Sequence, residues 1–143
     1  MKILITADIH NRLKTLKEIK AHQTFDYHLD AGDSLLPLHI LDSEGIISVK
    51  GNSDFFSKLP LERLLEIDGM RILLIHGHKE GVKYSLDTLI KLAKEKNADI
   101  CIYGHTHIQH MVTLDGIIYL NPGALSNKTQ NYAIYENGQI TLY

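Results

Sequence analysis

The chain has 143 residues, 44% of them apolar and 22% charged, a make-up that fits a globular protein and excludes a disordered or fibrous one. Its 15 basic and 17 acidic side chains leave a formal net charge of −2, so electrostatics gives no reason to expect nucleic acid or an anionic membrane as the main partner. No apolar run approaches the roughly 20 residues of a bilayer span, and no repeat or Pro/Gly-rich linker divides the sequence, so residues 1–143 read as a single domain.

In chain order, Lys2 to Thr6 is short, β-branched and continuously apolar, as in a strand buried on both faces. Arg12 to Gln23 sets Leu13, Leu16 and Ile19 on one side and lysines elsewhere, an amphipathic helix with Asn11 as its cap. Phe25 to Leu29 and Gly45 to Val49 read as strands. Between them, Leu35 to Asp42 is ambiguous, with Pro37 placed to open a short helix. Leu61 to Ile67 and Met70 to Ile75 flank Asp68-Gly69, a two-residue hairpin signal. Ser85 to Lys96 is the clearest helix: Leu86, Leu89, Ile90 and Ala93 form its apolar face, Ser85 caps it and Asn97 ends it. Ile100 to Tyr103 is a further buried strand. Gln109 to Leu114, Ile117 to Leu120, Asn131 to Tyr135 and Gln139 to Leu142 complete the set, with turns at Asp115-Gly116 and Asn137-Gly138. Strand and helix alternate early and antiparallel hairpins close the chain, which predicts a layered α/β domain with mixed sheets.

Cys101 is the only cysteine and sits in an apolar strand, so it reads as a buried, inert thiol. Asp8 and His10 follow Lys2-Ile3-Leu4-Ile5 too soon for a signal-peptide core, and a cytoplasmic setting is expected.

Five polar clusters recur immediately after apolar strands: Asp8-Ile9-His10, Gly32-Asp33, Gly51-Asn52-Ser53-Asp54, His76-Gly77-His78 and Gly104-His105-Thr106-His107. Sites in α/β proteins form beyond the carboxyl ends of strands, so neighbouring strands would turn all five into one crevice. Any one cluster has an ordinary explanation. An aspartate there often caps a helix, and Gly-Asn-Ser-Asp is a common turn. Caps and turns do not account for four histidines, two aspartates and an asparagine at five successive strand ends. Imidazole and carboxylate together suit divalent transition metals, and the lack of a cysteine cluster argues against a structural zinc finger. Asp8, His10, Asp33, Asn52, His76, His105 and His107 are the candidate metal ligands. His78, beside them, is a further candidate site residue. His22, His28, His39 and His110 read as structural or surface residues.

The succession Asp-x-His, Gly-Asp, Gly-Asn-x-Asp, His and Gly-His-x-His, spanning residues 8 to 107, resembles the calcineurin-like metallophosphoesterases. Asn121-Pro122-Gly123-Ala124 is similar to the Asn-Pro-Gly-Ser of their small single-domain, YfcE-type phosphodiesterase subgroup. The resemblance implies a sandwich of two mixed β-sheets flanked by helices. It implies that Asp8, His10 and His107 hold one divalent metal, that Asn52, His76 and His105 hold another, and that Asp33 bridges them. It further implies hydrolysis of a small phosphate ester, foremost a phosphodiester, by a hydroxide bridging the two ions. Mn²⁺ leads the choice of metal, ahead of Ni²⁺, Fe²⁺, Zn²⁺ or Co²⁺. Many relatives carry His after Gly-Asn as a proton donor, where this chain has Ser53, so activated aryl diesters should react faster than alkyl ones. Phosphomonoester hydrolysis and a non-catalytic protein-interaction scaffold of the VPS29 type are the alternatives; the oligomeric state stays open, a homo-oligomer included.

Overall fold

The computed structural model describes residues 1–143 and sorts the apolar strands into two five-stranded sheets. Strand β1 (Lys2–Thr6) leads to helix α1 (Leu13–His22), β2 (Tyr27–Asp30), α2 (Leu38–Glu44) and β3 (Ile46–Ser48). Next come β4 (Glu62–Ile67), β5 (Met70–Ile75), α3 (Asp87–Glu95) and β6 (Ile100–Ile102). The chain closes with β7 (His110–Leu114), β8 (Ile117–Asn121), β9 (Ala133–Glu136) and β10 (Gln139–Leu142). The first sheet runs β10-β9-β1-β2-β3 and the second β4-β5-β6-β8-β7. Strands β1, β2 and β3 are parallel, as are β5, β6 and β8. The pairs β4/β5, β7/β8 and β9/β10 are antiparallel, so each sheet is mixed.

Alternation along the strands builds three apolar layers. Ile3, Ile5, Leu29, Ile72, Leu74, Ile100 and Ile102 meet between the sheets. Their odd neighbours point the other way: Leu73, Ile75, Cys101 and Tyr103 pack with Leu89 and Ala93 of α3. Leu4, Ile46 and Ile134 pack with Leu16 and Ile19 of α1 and Leu41 of α2. Strands buried on both faces therefore lose their polar alternation, which is why they read as continuous apolar runs. Truncating a fully buried residue such as Leu74 to alanine should cost about 2–5 kcal/mol. No helix is long and apolar enough to cross a membrane.

Three hairpin turns take the left-handed backbone their residues permit: Asp68-Gly69, Asp115-Gly116 and Asn137-Gly138 all have positive φ. Two expected caps fail. Asn11 sits at φ 64 and its N–H donates to the Ser34 carbonyl at 2.8 Å, so Arg12 occupies the cap position of α1 without a side-chain bond. The loop takes Asn11 because it needs a left-handed residue there more than the helix needs a cap. Ser85 lies one residue ahead of the α3 cap, Leu86, and only reaches the Asp87 N–H at 3.4 Å. Asn97 does end α3, in the left-handed conformation at φ 52. The ambiguous segment folds as α2 just after Pro37 and stops at Gly45.

Candidate metal centre

Each of the five polar clusters follows a strand that pairs in parallel with at least one neighbour. Asp8, Asp33 and Asn52 come after the parallel strands β1, β2 and β3, and His76 and His105 after the parallel pair β5 and β6. Loops of the two sheets thus converge at one end of the sandwich. Backbone bonds zip them together: the Asp8 N–H donates to Gly32 O at 3.0 Å, His10 N–H to Asp33 O at 3.0 Å and Gly104 N–H to His76 O at 3.1 Å. Asp8, His10, Asp33, His105 and His107 all have φ between 49 and 73. L-residues visit that region at a cost, and a cluster of such residues marks a place where geometry is held for function.

Two compact groups of potential ligand atoms result, each with its atoms within 4.8 Å of one another: Asp8, His10 and His107, and Asp8, Asp33 and His76. Asp8 Oδ1 faces three imidazole nitrogens, Nε2 of His107 at 3.3 Å, of His10 at 3.6 Å and of His76 at 3.9 Å. Asp33 Oδ2 stands 3.3 Å from His76 Nε2 and 4.0 Å from His10 Nε2. Asn52 Oδ1 is 2.9 Å from His76 Nε2. His105 belongs to neither compact group; its ring packs edge-on to His76 with centroids 5.1 Å apart. The His78 ring lies 5.4 Å from His76 and 6.1 Å from His105, with Nδ1 buried and unpartnered.

The remaining atoms of these residues are tied down. Asp8 Oδ2 accepts the His105 N–H at 3.1 Å and Asp33 Oδ1 the Ser53 N–H at 2.8 Å. His76 Nδ1 lies 2.8 Å from Ala31 O, and a carbonyl can only accept, so Nδ1 carries the hydrogen and Nε2 presents its lone pair to Asp33 and Asn52. Lone pairs so arranged repel unless a proton or a cation stands among them. Protons answer in part. Burial, helped by the Asp33 charge, pushes the Asp8 carboxyl up to about 7. Burial opposes charge on Asp33 too, but the hydrogen bond and charge of His76 outweigh it and hold that carboxyl below the usual range. His76 is raised in turn: burial pulls it down, and Asp33 and Asp8 more than offset this. Burial, with the charge of His76 second, lowers His105 to about 4 and leaves one ring nitrogen with its lone pair to coordinate. Asp8 Oδ1 and His10 Nε2 are buried with no hydrogen-bond partner at all, and buried polar atoms are almost always partnered. Carboxylate and imidazole donors with unshared, inward-facing lone pairs fit divalent cations.

Several further residues shape the centre through bonds that the sequence pattern did not specify. Asp54 grips backbone, within its own turn and across to a second loop. Its Oδ2 accepts the N–H groups of Asp33 and Gly51, both at 2.8 Å, and its Oδ1 that of Leu35 at 3.2 Å. It joins the loop bearing Asp33 to the loop bearing Asn52. Asn121 Nδ2 donates to Gly104 O at 3.1 Å and Thr106 Oγ1 at 2.9 Å, and Asn127 Nδ2 to His107 O at 2.9 Å, together fixing the Gly-His-Thr-His loop. Two glycines sit directly behind the carboxylates. A Cβ on Gly51 would collide with Asp33 Oδ1, and one on Gly104 would come within 2.9 Å of Asp8 Oδ2. His28, read as structural, is buried in a separate network with Thr6, Asp30 and Ser48. His22, His39 and His110 are exposed.

Residues 1–138 match the family model described as the calcineurin-like phosphoesterase superfamily domain. This chain belongs to that family of metallophosphoesterases, as the fold and the donor set both indicate. It is 35% identical over 140 residues to the probable metallophosphoesterase YsnB of Bacillus subtilis, covering 94% of this chain and 83% of that protein. The crystal structure of a predicted phosphoesterase from Streptococcus pneumoniae superposes with a TM-score of 0.83 at 26% identity, covering 99% of this chain and 96% of that one. The structure of Vacuolar Protein Sorting 29 from Cryptosporidium parvum has the same fold, with a TM-score of 0.77 at 17% identity over 99% of this chain and 95% of that one.

Proposed function

We propose that the chain is a phosphodiesterase that works with two divalent cations, foremost Mn²⁺. Asp8, His10 and His107 would hold the first and Asn52, His76 and His105 the second, with Asp33 between them. Cations held there would bring the pKa of water towards neutrality and offset charge developing on the phosphoryl oxygens. The observation that carries this reading is Asp8 Oδ1, buried without a partner yet faced by three imidazole nitrogens.

The chain's own residues supply orientation. Backbone N–H groups of His105 and Ser53 hold the two carboxylates by their outer oxygens, leaving the inner oxygens aimed at the centre. His76 is locked in one tautomer by Ala31 O. Asn52 is a neutral donor whose amide also steadies a phosphate oxygen, and His78, its pKa lowered chiefly by burial, donates or accepts a hydrogen bond at the same edge. Ser53 follows Asn52 where an acid would protonate the leaving oxygen, and a hydroxyl is too weak an acid for that task. Esters with good leaving groups, aryl diesters above all, are the favoured substrates.

Purified protein should hydrolyse bis(p-nitrophenyl) phosphate once Mn²⁺ or Ni²⁺ is added, and EDTA should stop it. p-Nitrophenyl phosphate in the same assay separates diesterase from monoesterase preference. The VPS29 fold supports the competing scaffold reading, but a scaffold has no use for seven intact donors. Metal-loaded protein with no turnover above that of Asp33→Ala would sink the enzymatic reading.

A further inference from the structure

Two consecutive phenylalanines, Phe55 and Phe56, are 77% and 99% exposed in the turn just after the Gly-Asn-Ser-Asp motif. A phenylalanine left in water forgoes about 1.5–3 kcal/mol of burial, and exposed apolar groups beside a site point to a ligand. Phe55 forms one wall of a cleft of about 520 Å³, a size typical of small-molecule sites. At one end the cleft is lined by Asn52 and His78, so it opens directly onto the candidate metal centre; Leu61 extends its apolar wall. Lys50 and Lys79 also line it and no carboxylate does, although the chain as a whole carries more acidic than basic side chains. His78 Nδ1, at the junction with the centre, is buried without a hydrogen-bond partner.

We propose that this cleft binds the substituent of the phosphate ester, and that the substituent is a flat aromatic ring bearing a further negative charge. The ring stacks on Phe55, Lys50 and Lys79 hold the added anionic group, and the phosphate lies at the Asn52–His78 end. The proposal rests on the phosphoesterase reading, which fixes where the phosphate sits. An aromatic face and an ammonium together select such a substituent: the ring gains contact and quadrupole attraction, and the charge finds cations with no nearby carboxylate lining to compete.

Phosphonates test it without turnover, because their C–P bond is not hydrolysed by this chemistry. Calorimetric titration of Mn²⁺-loaded protein with methylphosphonate, phenylphosphonate and 4-carboxyphenylphosphonate should give rising affinity, with phenyl about tenfold tighter than methyl. Phe55→Ala, at an exposed position, should bring phenyl to within about twofold of methyl. Lys79→Ala should remove the gain from the carboxylate and leave the phenyl preference. Equal affinities for methyl and phenyl in the wild type, or a phenyl preference that survives Phe55→Ala, would overturn the proposal. Failure to hydrolyse bis(p-nitrophenyl) phosphate would instead count against the phosphoesterase reading, so the two failures are told apart.

Discussion

The protein holds two groups of histidine and aspartate, one within the first sheet and one where the strand ends of both sheets meet, and they are built on opposite rules. In one, His28 Nε2–H donates to Thr6 Oγ1 at 2.9 Å, Thr6 Oγ1–H donates to Asp30 Oδ1 at 2.8 Å, and Ser48 and the Gly32 N–H close on Asp30 Oδ2. Hydroxyls interleave the ionisable groups, and the chain nearly satisfies itself; His28 Nδ1 alone goes without a partner. In the other, at the strand ends, imidazole faces carboxylate with no hydroxyl between, and lone pairs are left over. Residue type alone does not distinguish a ligand site from a structural one. The accounting of donors and acceptors does.

Breaking the contrast at its sharpest point, His76→Ala should lower turnover of an activated phosphodiester by about a thousandfold or more while the thermal transition stays cooperative. Asp54→Ala touches no ligand atom but frees the loops of Asp33 and Asn52 from each other. Metal affinity, read by titration of the purified variant, should weaken by roughly 10–100-fold. On the other side, Asp30→Ala strands the Thr6 and Ser48 hydroxyls and should cost about 1–3 kcal/mol in denaturant unfolding, with turnover per folded molecule retained. A similar loss of turnover would show that the network belongs to the active site after all.

The pH dependence sharpens the same comparison. Burial pushes the Asp30 carboxyl up to about 7, although bonds from Ser48, Thr6 and Gly32 pull it back in part. A carboxyl raised above its unfolded value binds more protons in the folded state, so its contribution is fully present below about 4 and is lost as pH rises to about 7. The stability of chelated Asp30→Asn relative to wild type should therefore improve across that window and stay level outside it, as read by urea midpoints. A difference that does not vary with pH would mean Asp30 is ionised throughout. The smallest effect is expected for Ser53→Ala: kcat should change by less than about threefold, since its backbone N–H, not its hydroxyl, holds Asp33.

Periodicity and turn chemistry were enough to find every strand and the two long helices, because strands between two apolar layers lose polar positions and Asp-Gly or Asn-Gly admits only a tight turn. They could not show sheet membership. The closing hairpins look alike in sequence, yet β7/β8 joins the second sheet and β9/β10 the first, a choice settled by long-range packing. The convergence of Asp8, Asp33 and His76 was legible because each follows a strand. Asp54 and Asn121 stood in motifs the sequence marks, but which backbone groups they hold was not legible, nor was the anchoring by Asn127, since side-chain bonds to distant backbone leave no local pattern. Helix starts failed at Asn11 and Ser85 for a related reason: the polar residues nearest each helix were already committed to the loop or displaced by a turn.

Gly51 and Gly104 set a limit on how this centre can be retuned. Each leaves room for one carboxylate oxygen by having no side chain, so Asp33 and Asp8 are seated from behind by main chain that cannot yield. Even alanine at either position would push that carboxylate forward into the crevice. Under the proposed phosphoesterase reading, design for another ion or a bulkier ester is thus steered to the front wall, to Asn52, Phe55 and His78, where side chains can be exchanged without moving the seat.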